Sequence, residues 1–143
     1  MITELYVPRD RLSVFMDDVR RDFLRYPADV IYGTTRLIEP DTESAHPWAR
    51  EAYACVIFNL HVDHQAAAIA DAATDFARLI DHAVAHEGSY FLTYHRFARP
   101  DQLLTCHPRL LGWLAKKHQI DPNRLFQSDW YRHLLRLTGG EAP

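Results

Sequence analysis

Hydrophobic positions along the chain switch between two periods. ELYVP (4–8) reads as a short strand stopped by Pro8, after which Leu12, Phe15, Met16, Val19 and Phe23 recur at helical spacing behind a potential cap at Asp10. Pro27 closes that helix. DVIYGTTRLIE (29–39) returns to β-rich composition and breaks at Pro40-Asp41; the polar loop DTESAHPWARE (41–51) follows. AYACVIFNLHV (52–62) is the second long strand. Asp63 then stands where a cap would start a helix through His86, with Ile69, Ala72, Ala73, Phe76, Ile80 and Ala83 or Val84 on the inner face. Gly88 is the expected left-handed stop. SYFLTYHRFA (89–98) is again β-like, and Pro100-Asp101 opens a helix carrying Leu103, Leu104, Leu110, Leu111 and Leu114. Beyond it, HQIDPNRLFQSDWYRHLL reads as an irregular, aromatic tail.

The order β-α-β-β-α-β, then a C-terminal helix and tail, predicts an α+β, ferredoxin-like fold: an antiparallel sheet with two helices on one face. Residues 1–118 form the expected domain, and 119–143 the tail. Successive strand side chains alternate between faces. If Val56, Phe58, Leu60 and Val62 meet the helices, then Cys55, Ile57, Asn59 and His61 lie on the uncovered face. The same phase puts Tyr32, Thr34 and Arg36 there, and Tyr94 and His95 compete for a place on the last strand.

Composition narrows the function classes. The 143 residues suit one domain, with 48% hydrophobic and 24% charged residues as in ordinary globular proteins. A net charge of −3 without a basic stripe speaks against nucleic acid and anionic membranes. No apolar run reaches the length of a membrane span, and MITELYVPRD lacks a signal-peptide pattern. With the two cysteines, Cys55 and Cys106, far apart in sequence and Cys55 inside a strand pattern, a reducing cytoplasm is expected.

Four stretches, IYGTTRLIEPD, YACVIFNLH, GSYFLTYHR and IDPNRLFQSDWYRH, together resemble the C-terminal region of FAD-linked oxidases of the vanillyl-alcohol-oxidase type. That family includes sugar-lactone oxidases, alditol oxidases and cytokinin dehydrogenases. The resemblance runs over about residues 4–133 and implies a cap domain that lays an antiparallel sheet over the isoalloxazine ring. It also implies that Asp121-Pro122-Asn123-Arg124-Leu125-Phe126 returns the chain toward an FAD-binding domain. This chain carries no glycine-rich pyrophosphate loop of its own. Thr34-Thr35-Arg36 stands where the lactone and alditol oxidases have Glu-x-Arg, and Leu92-Thr93-Tyr94-His95-Arg96 where they have Pro-His-Trp-Gly-Lys.

Two functional expectations follow. The first is a substrate-binding cap domain or subunit of an FAD-dependent oxidoreductase, oxidising an alcohol, hydroxy acid or amine by hydride transfer to flavin, with little activity alone. In it Arg36 would stabilise anionic charge and His61 would accept a proton, while Tyr32, Asn59, Tyr94 and His95 would contact substrate. FAD would be held mainly by another domain or subunit, and homo-oligomerisation is possible. The second is a non-enzymatic, ferredoxin-like dimeric module binding a small ligand or metal on its open face. The bland alternatives are an Arg36 paired at the surface with Glu39 or Glu51, and a structural His61. His61, Asp63 and His64 also fit metal-ligand types, but Asp63 has a sufficient task as a cap and no metal is assigned. Trp130, Tyr131 and Phe126 are expected to pack against a neighbouring domain.

Overall fold

In the computed structural model, which describes residues 1–139, β1 (Ile2–Pro8) occupies the middle of the sheet. It pairs along its whole length with β3 (Tyr53–Leu60) and, on its other side, with the two residues of β4 (Ser89–Tyr90). β2 (Val30–Ile38) pairs with the far edge of β3, so the order is β2-β3-β1-β4 and every pair is antiparallel. This is the expected α+β arrangement. Central position explains why β1 and β3 are buried on both faces, whereas β2 is exposed over nearly all its length.

Two helices cover one face: α1 (Leu12–Arg25), entered through a 3-10 turn at Arg9–Arg11, and α2 (Ala66–Ala85). Phe15 and Val19 from α1 join Phe76, Leu79, Ile80 and Ala83 from α2 over Leu5, Val7, Val56, Phe58 and Leu60 of the sheet. Ile69 and Met16, expected on the inner faces, stay more than a third exposed at the margins of these stripes. The helices are cross-tied by charge. The Arg78 guanidinium donates to both oxygens of Asp22 and to Asp75, and the His86 ring lies 2.7 Å from Asp18.

Several local expectations are corrected. Neither Asp10 nor Asp63 caps its helix: Asp10 lies inside the 3-10 turn, and α2 begins three residues after Asp63. Glu87, not Gly88, takes the left-handed conformation (φ 61°). Gly88 is needed for a different reason. A Cβ there would come within 2.1 Å of the Tyr6 carbonyl oxygen and 2.7 Å of that of Ala83. The strand expected over 89–98 stops after Tyr90, because the chain turns at Leu92-Thr93 and sends His95 and Phe97 onto Phe76 of α2. The last helix is two, α3 (Pro100–Cys106) and α4 (Leu110–Ile120). Pro108 separates them, having no backbone N–H to give and forcing His107 out of helical geometry (φ −124°, ψ 67°).

The tail is also more ordered than its sequence suggests. α5 (Asp129–Leu137) is capped by Ser128, whose hydroxyl accepts from the Tyr131 N–H at 3.1 Å. It buries Tyr131, Leu134 and Leu135 in the same core as Leu110 and Leu114. Ahead of it, the Asp121 carboxylate accepts from the Leu125 and Phe126 N–H groups and pairs with Lys117, so the Asp-Pro-Asn-Arg-Leu-Phe segment is a carboxylate-organised turn. Phe126 at its end is 79% exposed, whereas Tyr131 packs on its own chain.

Candidate functional site

The sheet face opposite α1 and α2 carries a second, smaller apolar cluster of Tyr6, Tyr53, Cys55 and Ile57, with Ala49 packed over it. Ala49 comes from the loop between β2 and β3. That loop lays Trp48 on Tyr6, ring centroids 5.1 Å apart, and wedges His46 between His107 (5.6 Å) and Trp113 (6.0 Å). The polar loop read from sequence is therefore a roof over one end of the face. The other end stays bare.

At the margin of the roof sits Glu4, a carboxylate inside an otherwise apolar central strand and only 8% exposed. Alternation along β1 places it beside Tyr6 on this face, opposite Ile57. The Tyr6 hydroxyl donates to Glu4 Oε1 at 2.7 Å, and the Cys55 thiol donates to the same oxygen at 3.3 Å. Arg36 Nη2 lies 3.4 Å from Oε2, and Tyr94, in the turn after β4, is near enough to feel the Glu4 charge. A buried carboxylate is tolerable only when its lone pairs are filled, and Tyr6, Cys55 and Arg36 converge to fill them.

The electrostatics follow from this packing. Burial, then the neighbouring Glu4 charge, pushes the Tyr6 hydroxyl far above its ordinary range. The Cys55 thiol is pushed up to about 12 by burial and by Glu4, so it is a hydrogen-bond donor and not a nucleophile. Tyr94 is raised too, by burial first and by Glu4 second. Arg36, more than half exposed, is the one cation of the group, and it faces solvent with donors to spare.

The structure sorts the residues singled out from sequence. Tyr32 stands directly across from Asn59 and Arg36 from Cys55, all on the face turned away from α1 and α2 as the alternation requires, with Cys55 under the roof. Tyr94 faces this side, its ring tilted against Phe91 with centroids 4.6 Å apart. His95 goes to the other: it stacks on Phe97 and meets Phe76 edge-on, and burial lowers its basicity. His61 lies beyond the end of β3, where its Nδ1 is 3.1 Å from Asp29 Oδ2. It is six residues from Cys55 along the chain, roughly 20 Å at strand rise, so it does not share a pocket with Arg36. Instead it borders a cleft of about 280 Å³ with Asp29, Asp63, Asp71 and Asp75. Glu39, one expected surface partner of Arg36, is engaged by Arg9, and Arg36 has Glu4. Among the described residues no three His, Cys, Asp or Glu side chains are grouped to hold a metal, and no helix is long and apolar enough to cross a membrane.

Glu4 escaped notice in the sequence. Its signal was an acidic residue in a strand whose other positions, Ile2 to Val7, are mostly apolar, two residues from a tyrosine.

No protein-family model matches the chain, and no curated protein matches it significantly.

Proposed function

We propose that the chain is the substrate-facing cap of an FAD-dependent oxidoreductase and that its working surface is the bare half of the sheet around Glu4, Arg36 and Tyr94. The observation that carries this reading is the placement of one solvent-facing guanidinium, paired with a buried carboxylate, on a polar and aromatic sheet face. Tyr32, Asn59 and Thr34 extend that face. Arg36 would offer fixed N–H donors to an oxygen-rich or anionic group, and Glu4 would hold the guanidinium in place. Tyr94 and Tyr32 would supply aromatic surface and hydroxyl groups to orient a planar partner or a substrate.

The residues present fit the ring side of FAD and not the dinucleotide. Gly33, Gly88 and Gly112 are scattered over a strand, a turn and a helix, and do not form a phosphate cradle. FAD, held by a second domain or subunit, would supply the hydride acceptor. The chain would contribute position, charge and exclusion of water over an alcohol, hydroxy acid or amine. His61, steadied by Asp29, would sit at the rim of this surface and not at its centre.

The test is to isolate the tagged chain from its native cells with whatever binds it, and to record the visible spectrum. Flavin absorbance that candidate hydroxy acids or alditols bleach without oxygen, and that Arg36→Ala makes slower to bleach, supports the reading. A colourless complex overturns it and favours a ligand-binding module without flavin.

A further inference from the structure

β2 is the outer strand of the sheet, and nothing among the described residues pairs with its free edge. Beyond the bulge at Val30–Tyr32 the edge carries no proline and no lysine, and Ile31 (58%) and Leu37 (67%) are largely exposed. We propose that this edge is completed by β2 of a second copy, in antiparallel register about a two-fold axis through Thr34.

The strand's own sequence sets that register. With Thr34 facing its counterpart, Gly33 falls opposite Thr35 and Tyr32 opposite Arg36. Tyr32 and Arg36 lie on the same face, opposite Asn59 and Cys55 respectively, so each Tyr32 ring falls beside the aliphatic stem of the partner copy's Arg36, whose guanidinium stays turned inward on Glu4. Farther out, Ile31 falls opposite Leu37. The bulge between Val30 and Tyr32 ends the regular segment, which leaves 32–36 as the anchor. Arg36 is the only charged residue in β2, and this register never sets it against itself. A shift of the axis to Thr35 would instead put Arg36 opposite Thr34 and Tyr32 opposite Ile38, losing the ring contact.

The helix layer offers the same edge a second contact. Met16, Phe23 and Leu24 of α1 border a groove of about 300 Å³ floored by Phe58, and Gly33 pairs with Phe58 directly alongside. A two-fold axis perpendicular to the sheet keeps both helix layers on one side. The two grooves then face each other over the junction, and the eight strands form one sheet. Both bare faces point the same way and remain free, so the inference does not depend on the proposed function.

Sedimentation velocity on the purified chain and two variants tests it. The native chain sediments as a dimer at tens of micromolar. Thr34→Lys and Thr34→Glu each set like charges face to face on the axis and raise the dissociation constant at least about tenfold. An equimolar mixture of the two, each keeping its native circular dichroism, dimerises again. Thr34→Cys under mild oxidation gives a covalent dimer, as only residues at the axis meet their own copy. A native chain that stays monomeric to high micromolar concentration overturns the proposal, as does a dimer that both charged variants leave intact or a mixture that stays apart.

Discussion

Glu4 and Arg36 lie on strands that are not neighbours; β3 runs between them, and Nη2 of Arg36 still reaches within 3.4 Å of Oε2 of Glu4. The guanidinium thus crosses the face over Cys55 and Ile57 to close on a carboxylate beneath it. The two partners differ sharply in exposure, 56% against 8%, and this decides what each contributes.

Glu4→Leu strips Tyr6 and Cys55 of their acceptor inside the protein and is expected to destabilise the fold by about 1–3 kcal/mol. Arg36→Ala removes only a half-exposed partner, and the expected loss is below about 1 kcal/mol. Urea unfolding of both variants checks the contrast. Under the proposed role the order reverses in kind: Arg36→Ala is then the change expected to weaken ligand binding with the fold intact.

Acid should weaken the fold in two stages. His107 is 3% exposed and its basicity is pushed down to about 3, by burial first and by His46 and Arg50 after it. The unfolded chain takes up that proton near pH 6.5, so stability falls as pH drops from about 6.5 toward 3 and is flat above. Asp18, held low by its hydrogen bond to His86, adds a loss only below about pH 4, as does Asp22, where Arg78 and His82 outweigh burial. His46, His95 and His133, also held low by burial, act in the same sense. Thermal unfolding across this range should show the first stage, and His107→Phe should reduce its slope without abolishing it.

Neither thiol should react while the fold is intact. Burial pushes Cys106 up to about 11, and Cys55 is higher still. Alkylation at mildly alkaline pH is expected to be negligible in buffer and complete at both sites in urea. Fast labelling of Cys55 in the native protein would mean that the roof loop does not stay seated.

The turn after α2 offers a paired test. Gly88→Ala places a methyl group on the Tyr6 and Ala83 carbonyls and is expected to cost more than about 4 kcal/mol, because backbone on both sides must move. Glu87→Gly relieves a left-handed backbone at φ 61° and is expected to be neutral or stabilising by up to about 1 kcal/mol. Melting temperatures of the two variants decide whether close approach or conformation governs this position.

Period-two alternation in 30–38 and 53–60 was sufficient to read the sheet and its two faces, since each face of these strands has its own chemistry. Helix periodicity located α1 and α2 for the same reason. What failed was end-point chemistry. Asp10 and Asp63 are cap-type residues without caps to make, and the β-rich 89–98 leaves the sheet because Phe76 offers His95 and Phe97 a better surface than an edge. The site was half legible. Arg36, Tyr32, Asn59 and Tyr94 share a face by alternation alone, but the grouping of Arg36 with Glu4 is a cross-strand fact that needs the register of three strands. His61 shows the converse, as alternation gives a face and says nothing about distance along the strand.

The placement of α5 decides where this polypeptide can be cut. Tyr131, Leu134 and Leu135 seal the layer built by Leu110 and Leu114, so a fragment ending at residue 118 would leave that layer open to water. Shortened versions made to probe the sheet need to run through Leu137, and a fusion partner belongs after that residue, not inside the aromatic segment before it.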